Sequence, residues 1–188
     1  MKTLTGFVAV AALVALAGCN SDLSKNAAPV ELVVTNSQTL HTIDLLGGTG
    51  CDQNIATVQL QAFTKNKNQI SDQTFNQIRI TRYRVSYVRI DGGKVVPAPF
   101  VRSIDNLLTP NGAASTVSNF QAFEADAINH APFQALFPNN GGRDPETGRP
   151  VVSMDLVLEV FGETLAGERV SGSTRVPVDF IATGRGCF

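Results

Sequence analysis

The chain has 188 residues, with 15 basic and 16 acidic side chains and a formal net charge of −1 at pH 7. This length suits one domain with a substantial core. Because the charge is balanced and no basic run occurs, nothing in the composition supports a nucleic-acid partner.

The N-terminal stretch follows the plan of a secretory signal peptide. Lys2 supplies a positive charge, and residues 7–16 form an apolar run composed almost wholly of Val, Ala and Leu. This order of charge and apolar run is typical of signal peptides. The run is well short of the roughly 20 residues that a helix needs to cross a bilayer. We therefore expect residues 1–18 to be a cleaved signal and not a transmembrane anchor.

The apolar run ends in the tetrapeptide Leu16-Ala17-Gly18-Cys19. It resembles the lipobox of bacterial lipoproteins, in which a leucine is followed by a small residue, then Gly or Ala, then Cys. The resemblance implies that a diacylglyceryl group is attached to Cys19, that cleavage precedes this residue, and that several acyl chains anchor the protein to the membrane. In the same class, Asn20 in place of Asp implies the outer membrane. An ordinary cleavage site beside an unmodified Cys19 is the alternative.

A tether and a β-rich domain are expected to follow. Residues 19–29 are small and polar without periodicity, which is typical of a flexible linker. From residue 30 to 188, β-branched and aromatic residues alternate with frequent turn residues, which indicates an all-β domain. We expect strands at 30–35, 40–46 and 55–64, the last with one face towards a core.

The longest β-like run spans residues 76–90. Ile80 lies on one side of its alternation, whereas Tyr83 and Tyr87 lie on the other. A strand changes side in this way through a bulge or bend, so one is expected at 81–82.

The region after this run has stronger turn signals than strand signals. Asp91-Gly92-Gly93-Lys94 predicts a tight turn, and Val95-Val96 is expected to return as a partner strand that Pro97-Ala98-Pro99 terminates. Residues 104–108 are expected to form one helical turn, and residues 113–125 a strand.

Two further elements complete the domain. Apolar residues at helical spacing predict a short helix at 130–137 that caps the core. Strict alternation from Val152 to Val160, a turn at 162–167 and a return at 170–181 predict a hairpin. The whole pattern favours a single antiparallel β-sandwich, similar in architecture to immunoglobulin-like and fibronectin type III-like domains. A transthyretin-like or jelly-roll sandwich would leave the same pattern.

The remaining thiols favour a disulfide. Once Cys19 is acylated, Cys51 and Cys187 are an even pair in an exported chain, where the compartment is oxidising. We expect them to be bonded, with a stabilisation of at most about 5 kcal/mol. Free thiols and intermolecular pairing are the alternatives.

Motifs for catalysis or for a cofactor are weak. His41 and His130 are far apart in sequence and lack neighbouring ligands at metal spacing. No serine lies in a Gly-x-Ser-x-Gly setting. We therefore predict no catalytic residue, no metal and no cofactor.

Two carboxylates in the connector at 139–150 are weak candidates for binding. Asp144 and Glu146 lie in a Gly-rich loop of the kind whose oxygens can hold calcium. Because Arg143 and Arg149 flank them, a solvated turn is the expected structure.

Two arginines of the long strand are the other weak candidates. Arg82 and Arg84 share a side of the strand and should point to one face, where they could bind acidic side chains or an anionic partner. Charges on an exposed strand also discourage aggregation between sheet edges, which is the expected role.

These observations favour a non-catalytic interaction or structural module of the cell envelope. It would be anchored to the membrane by its lipid and would bind an envelope protein. A lipoprotein that binds a carbohydrate or calcium is the alternative, and an envelope hydrolase is a third candidate. Tyr83 and Tyr87, the residues that could form a sugar platform, are expected in the core.

Overall fold

The computed structural model describes residues 28–37, 40–47, 54–66 and 74–184. The predicted signal peptide, the predicted lipobox that ends in Cys19, and the expected Cys51–Cys187 disulfide lie outside these ranges. No helix within the described ranges is long and apolar enough to cross a membrane.

Eight strands and one short α-helix form within the described ranges. The strands are β1 (Val30–Asn36), β2 (His41–Asp44), β3 (Asn54–Thr64), β4 (Ile78–Arg89), β5 (Phe100–Leu108), β6 (Asn111–Gln121), β7 (Val152–Thr164) and β8 (Arg169–Ile181). The helix α1 (Phe133–Leu136) lies between two 3-10 turns at Ala125–Asn129 and Pro138–Asn140.

The strands form two sheets. One has three antiparallel strands in the order β1-β3-β6, and the other has five in the order β2-β8-β7-β4-β5. All pairs of the larger sheet are antiparallel except β2 with β8, which is parallel. The predicted all-β sandwich with a short helical segment is confirmed.

Inward side chains of the two sheets form the core. The strict alternation predicted for the last hairpin is confirmed by β7, whose fully buried side chains are Val152, Met154, Leu156, Leu158 and Val160. The helix α1 adds Phe133, whose ring centre lies 4.5 Å from that of Phe180 on β8. The predicted helical cap at 130–137 is therefore confirmed in its central turn.

The predicted bulge in the long strand is also confirmed. The register of β4 shifts between Ile80 and Arg82 against both of its neighbours, β5 and β7. Because of this shift, Ile80, Tyr83 and Tyr87 all face the core, with exposed fractions of 0%, 6% and 8%.

On one side of the sandwich, the two sheets approach closely. A Cβ atom at Gly172 on β8 would lie 2.6 Å from the carbonyl oxygen of Leu32 on β1. A glycine is needed here because a side chain would force the two backbones apart.

The partner strand predicted at Val95-Val96 is wrong. These residues are not in a strand, and β4 pairs instead with β5 and β7. The backbone N–H groups of Lys94 and Val95 donate to the Glu146 carboxylate, at 2.7 and 2.9 Å. The Glu146 side chain thus accepts from the backbone N–H groups that would otherwise donate to a partner strand in a hairpin.

The helical turn predicted at 104–108 is wrong as well. These residues form the second half of β5, where Leu108 pairs with Ile78 and Asn106 with Ile80. Ile104, Leu107 and Leu108 have helical spacing, but pairing with a long neighbouring strand outweighs local periodicity.

Candidate functional site

The end of β4 carries an arginine on the core side of the sheet. Arg89 pairs in register with Met154, which is fully buried, and its own side chain is 2% exposed. A charged group removed from water requires opposite charges and hydrogen bonds. Asp91 provides both, since its two carboxylate oxygens accept from Arg89 Nε at 2.7 Å and Nη2 at 2.8 Å.

Residues of the 139–150 connector complete this arrangement. Asp144 is 1% exposed and its Oδ2 accepts from Arg89 Nη2 at 2.8 Å. Glu146 Oε2 lies 3.9 Å from Arg89 Nη1. We call Arg89, Asp91, Asp144 and Glu146 the Arg89 cluster. The expectation of a solvated turn is therefore wrong for Asp144, because burial of Arg89 draws this carboxylate inward.

The oxygens that accept from Arg89 also accept from backbone and hydroxyl donors. Asp91 accepts from the N–H groups of Gly93 and Ser153, at 3.1 and 3.0 Å. Asp144 Oδ2 also accepts from the N–H and the hydroxyl of Thr147, at 3.1 and 2.8 Å. Asp144 Oδ1 is buried without a hydrogen-bond partner among the described residues.

The electrostatics of the cluster keep every member charged. Burial alone would raise the pKa of Asp91, but hydrogen bonds from Arg89, Ser153 and Gly93 outweigh it and lower this pKa to about 2. Asp144 shows the same balance and its pKa is also lowered. Burial acts to lower the pKa of Arg89, but bonds to the two aspartates raise it overall. None of these groups is suited to proton transfer near neutral pH.

The cluster fixes the loop that leads to Pro97. Arg89 Nη1 donates to the Val95 carbonyl at 3.1 Å, while the N–H groups of Lys94 and Val95 are held by Glu146. The chain between the end of β4 and Pro97 is thus held by the cluster through two backbone N–H groups and one carbonyl oxygen. The position of the following Pro97-Ala98-Pro99 segment therefore depends on the cluster.

Pro97-Ala98-Pro99 forms one wall of a surface groove of about 420 Å³, which we call the proline groove. The rest of its lining comes from the first 3-10 turn and the residues on either side of it. These residues are Glu124, Asp126, Ala127, His130 and Ala131. Prolines and alanines thus provide most of the wall residues.

Two carboxylates line this groove. Glu124 Oε2 accepts from Arg102 Nη2 at 2.5 Å. The Asp126 side chain is 79% exposed, with Asn129 Nδ2 donating to it at 3.2 Å and His130 Nε2 at 3.1 Å. Hydrogen bonds from Asn129 and His130, with the charge of His130, lower the pKa of Asp126. The groove therefore combines apolar walls with two carboxylates, one of them highly exposed.

The predicted arginines lie elsewhere. Arg82 and Arg84 are both exposed on the outward face of the five-stranded sheet, as predicted. Arg84 Nη2 donates to Glu159 at 2.7 Å, and the Arg82 guanidinium lies 5.1 Å from the centre of the Phe161 ring. They do not join the Arg89 cluster, which lies on the other face of the same strand.

Both tyrosines have core positions, as expected. The Tyr87 hydroxyl donates to the Ala122 carbonyl at 2.9 Å, and the Tyr83 hydroxyl accepts from the Gln121 N–H at 3.2 Å. Each hydroxyl therefore bonds the end of β6 or the residue after it. His130 lies at the groove and His41 on β2. No group of three or more His, Cys, Asp or Glu within the described ranges could hold a metal ion.

Sequence reasoning named Asp144 and Glu146 as candidates but missed their partner Arg89, and it missed the groove. Arg89 has the same inward alternation as Tyr83 and Tyr87, and this signal alone indicated a buried charge that needs partners. The groove had no comparable signal, because its walls at 97–99 and 124–131 are brought together only by the tertiary fold.

The chain matches no protein-family model, no curated protein and no solved structure.

Proposed function

We propose that the chain is a lipid-anchored, non-catalytic interaction module of the bacterial cell envelope, held at the outer membrane. The resemblance of Leu16-Ala17-Gly18-Cys19 to a lipobox supports the anchor. A tether confined to one surface raises the effective concentration of the domain towards partners held there. The module therefore needs only a modest docking site.

The proline groove is the observation that carries this proposal. Its volume of about 420 Å³ is near the lower end of ligand sites, which are roughly 300–1,000 Å³. The wall at Pro97-Ala98-Pro99 follows a loop that the Arg89 cluster holds in place, so docking requires little ordering of the protein itself.

The chemistry of the cluster also supports a structural role over a catalytic one. Asp91 and Asp144 are bonded to Arg89 and to backbone donors, and they remain ionised at neutral pH. A general acid or base would need a pKa nearer to the operating pH.

The ligand-binding alternative has less support. A calcium ion at Asp144 and Glu146 would have to compete with the Arg89 guanidinium, which lies 2.8 Å from Asp144 Oδ2. Tyr83 and Tyr87 are buried with bonded hydroxyls, so neither provides an exposed platform for a sugar ring.

Fractionation and cross-linking of the producing cells test the proposal. The native chain is expected in the outer-membrane fraction with the mass of an acylated protein, whereas a Cys19→Ala variant is expected to lose the acyl mass and leave that fraction. Cross-linking of the native chain in intact cells should capture a defined envelope protein. An unacylated native chain would contradict the anchor, and the absence of any specific cross-link would contradict the interaction role.

A further inference from the structure

We propose that the proline groove binds an extended segment of a partner protein in which a lysine or arginine stands beside an apolar residue. This inference rests on the proposed function and names the chemistry of the partner. It follows from the wall composition, the hydrogen-bonding groups of the walls and the charge at the groove.

The composition of the walls requires an apolar contact. Pro97, Pro99, Ala127 and Ala131 contribute side chains without polar atoms. Burial of apolar surface against such walls stabilises a complex. The groove has room for a few side chains but not for a folded domain, so an extended segment suits it.

The backbone of the proline wall is poor in donors. Proline has no N–H group, so Pro97 and Pro99 leave only Ala98 with a backbone donor in this segment. Just before it, the N–H groups of Lys94 and Val95 are already bonded to Glu146. A partner that brings donors of its own is therefore favoured over one that brings acceptors.

Charge decides which donor is favoured. Glu124 is already bonded to Arg102. Asp126 accepts one bond from Asn129 Nδ2 and one from His130 Nε2, but its side chain is 79% exposed, so both oxygens keep further acceptor positions facing solvent. An ammonium or guanidinium group complements this carboxylate, whereas phosphate or carboxylate groups are repelled. Arginine is the stronger candidate because its planar group can donate two parallel bonds to a carboxylate.

The test uses the full lipidated chain in detergent micelles and fluorescent nonapeptides, with binding followed by anisotropy. Each peptide has a Gly/Ser background and one central pair: Arg-Leu, Lys-Leu, Glu-Leu or Arg-Ser. The Arg-Leu and Lys-Leu peptides are expected to bind. The Glu-Leu peptide, which has the wrong charge, and the Arg-Ser peptide, which lacks the apolar side chain, are expected to bind at least about fivefold more weakly.

Two variants at the groove and one matched control locate the binding. Asp126→Asn keeps the shape of the side chain and is expected to weaken Arg-Leu binding about three- to tenfold. Ala98→Arg places a cation on the exposed part of the proline wall and is expected to abolish it. Asp105→Asn removes a comparably exposed carboxylate, 73% against 79%, on another part of the surface and should leave binding unchanged.

Equal binding of the Glu-Leu peptide, or unchanged binding in both groove variants, would overturn the inference. Concentration-dependent dimers that Ala98→Arg disrupts would also overturn it, because the occupant would then be a second copy of this chain. The proposed function is tested separately by the cellular cross-links. If cross-linking captures a specific partner in cells but the basic peptides do not bind the groove, this inference is refuted and the interaction role is kept.

Discussion

The two faces of β4 use the same residue types in different ways. On the outward face, Arg84 meets Glu159 at 2.7 Å, with the arginine side chain 51% exposed. On the inward face, Arg89 meets Asp91 at the same distance, with side chains 2% and 1% exposed. The outward arginine is in contact with solvent. The inward pair is shielded from solvent and therefore needs several hydrogen-bond partners. Distance alone therefore does not show what an ion pair contributes.

The two ion pairs also differ in what they position. Arg84 and Glu159 are neighbours in register on the adjacent strands β4 and β7. The backbone hydrogen bonds between these strands already hold them together, so the ion pair adds to an existing contact. Arg89 instead connects β4 to the 139–150 connector and to the carbonyl of Val95. It thereby fixes two loop segments that do not pair with any strand. The position of the Pro97-Ala98-Pro99 wall of the groove depends on this difference.

The largest expected effect is that of removing the buried cation. Arg89→Met leaves Asp91 and Asp144 buried without their charge partner, and such a loss destabilises proteins by about 3–5 kcal/mol. Denaturant unfolding measures the change. The matched outward variant, Arg84→Met, should lose no more than about 1 kcal/mol. Equal losses in the two variants would contradict the distinction between the faces.

Acid should act next most strongly, and on the inward face. The pKa of Asp91 is lowered from 3.8 to about 2 in the folded protein, so its contribution is fully present above about pH 4 and is lost as the pH falls towards 2. A shift of this size corresponds to roughly 2 kcal/mol. Unfolding measured from pH 6 to 2 should show this loss, and Asp91→Asn should flatten the profile. A profile that Asp91→Asn leaves unchanged would contradict the assignment.

A smaller effect is expected from the carboxylate that holds the loop. Glu146→Gln weakens the acceptor for the N–H groups of Lys94 and Val95. Hydrogen exchange at these two amides should therefore become faster, while exchange in β7 stays the same. Glu159→Gln on the outward face is the control and should leave the loop amides unchanged. Unaltered exchange at residues 94 and 95 in Glu146→Gln would show that the cluster does not hold the loop.

The smallest effect is expected from salt. Ion pairs in contact with solvent are screened once the Debye length falls to about 3 Å at 1 M salt. The already small contribution of the pair between Arg84 and Glu159 should therefore decrease, whereas that of the Arg89 cluster should persist. Double-mutant cycles at low and high salt measure both contributions. Equal salt dependence would indicate that water reaches the cluster.

Much of the fold could be predicted from the sequence because alternation dominates where strands are long. The last hairpin alternates over its whole length, and the side change near residue 81 identified the bulge before any pairing was known. Residues 104–108 show the limit of this reasoning. Their apolar spacing suits a helix, and only the pairing of Leu108 with Ile78 makes them a strand.

The candidate site was much less predictable. Asp144 and Glu146 were named as weak candidates for binding in a turn expected to be solvated, but their partner Arg89 lies more than fifty residues earlier in the chain. Nothing local indicates that partner except its inward alternation. The groove forms only where residues 97–99 and 124–131 meet in the fold, and no sequence periodicity predicts that contact. The lipid anchor and the Cys51–Cys187 disulfide stay predictions.

The most direct test of the central claim is site-specific photocrosslinking in the producing cells. A photoreactive amino acid replaces Ala98 on the proline wall or, as the control, Ser173 on the outward face of the five-stranded sheet. Both positions are exposed. We predict that position 98 captures one envelope protein through a segment containing a lysine or arginine, and that position 173 captures none. Capture of a specific partner from position 173 but not from position 98 would contradict the account.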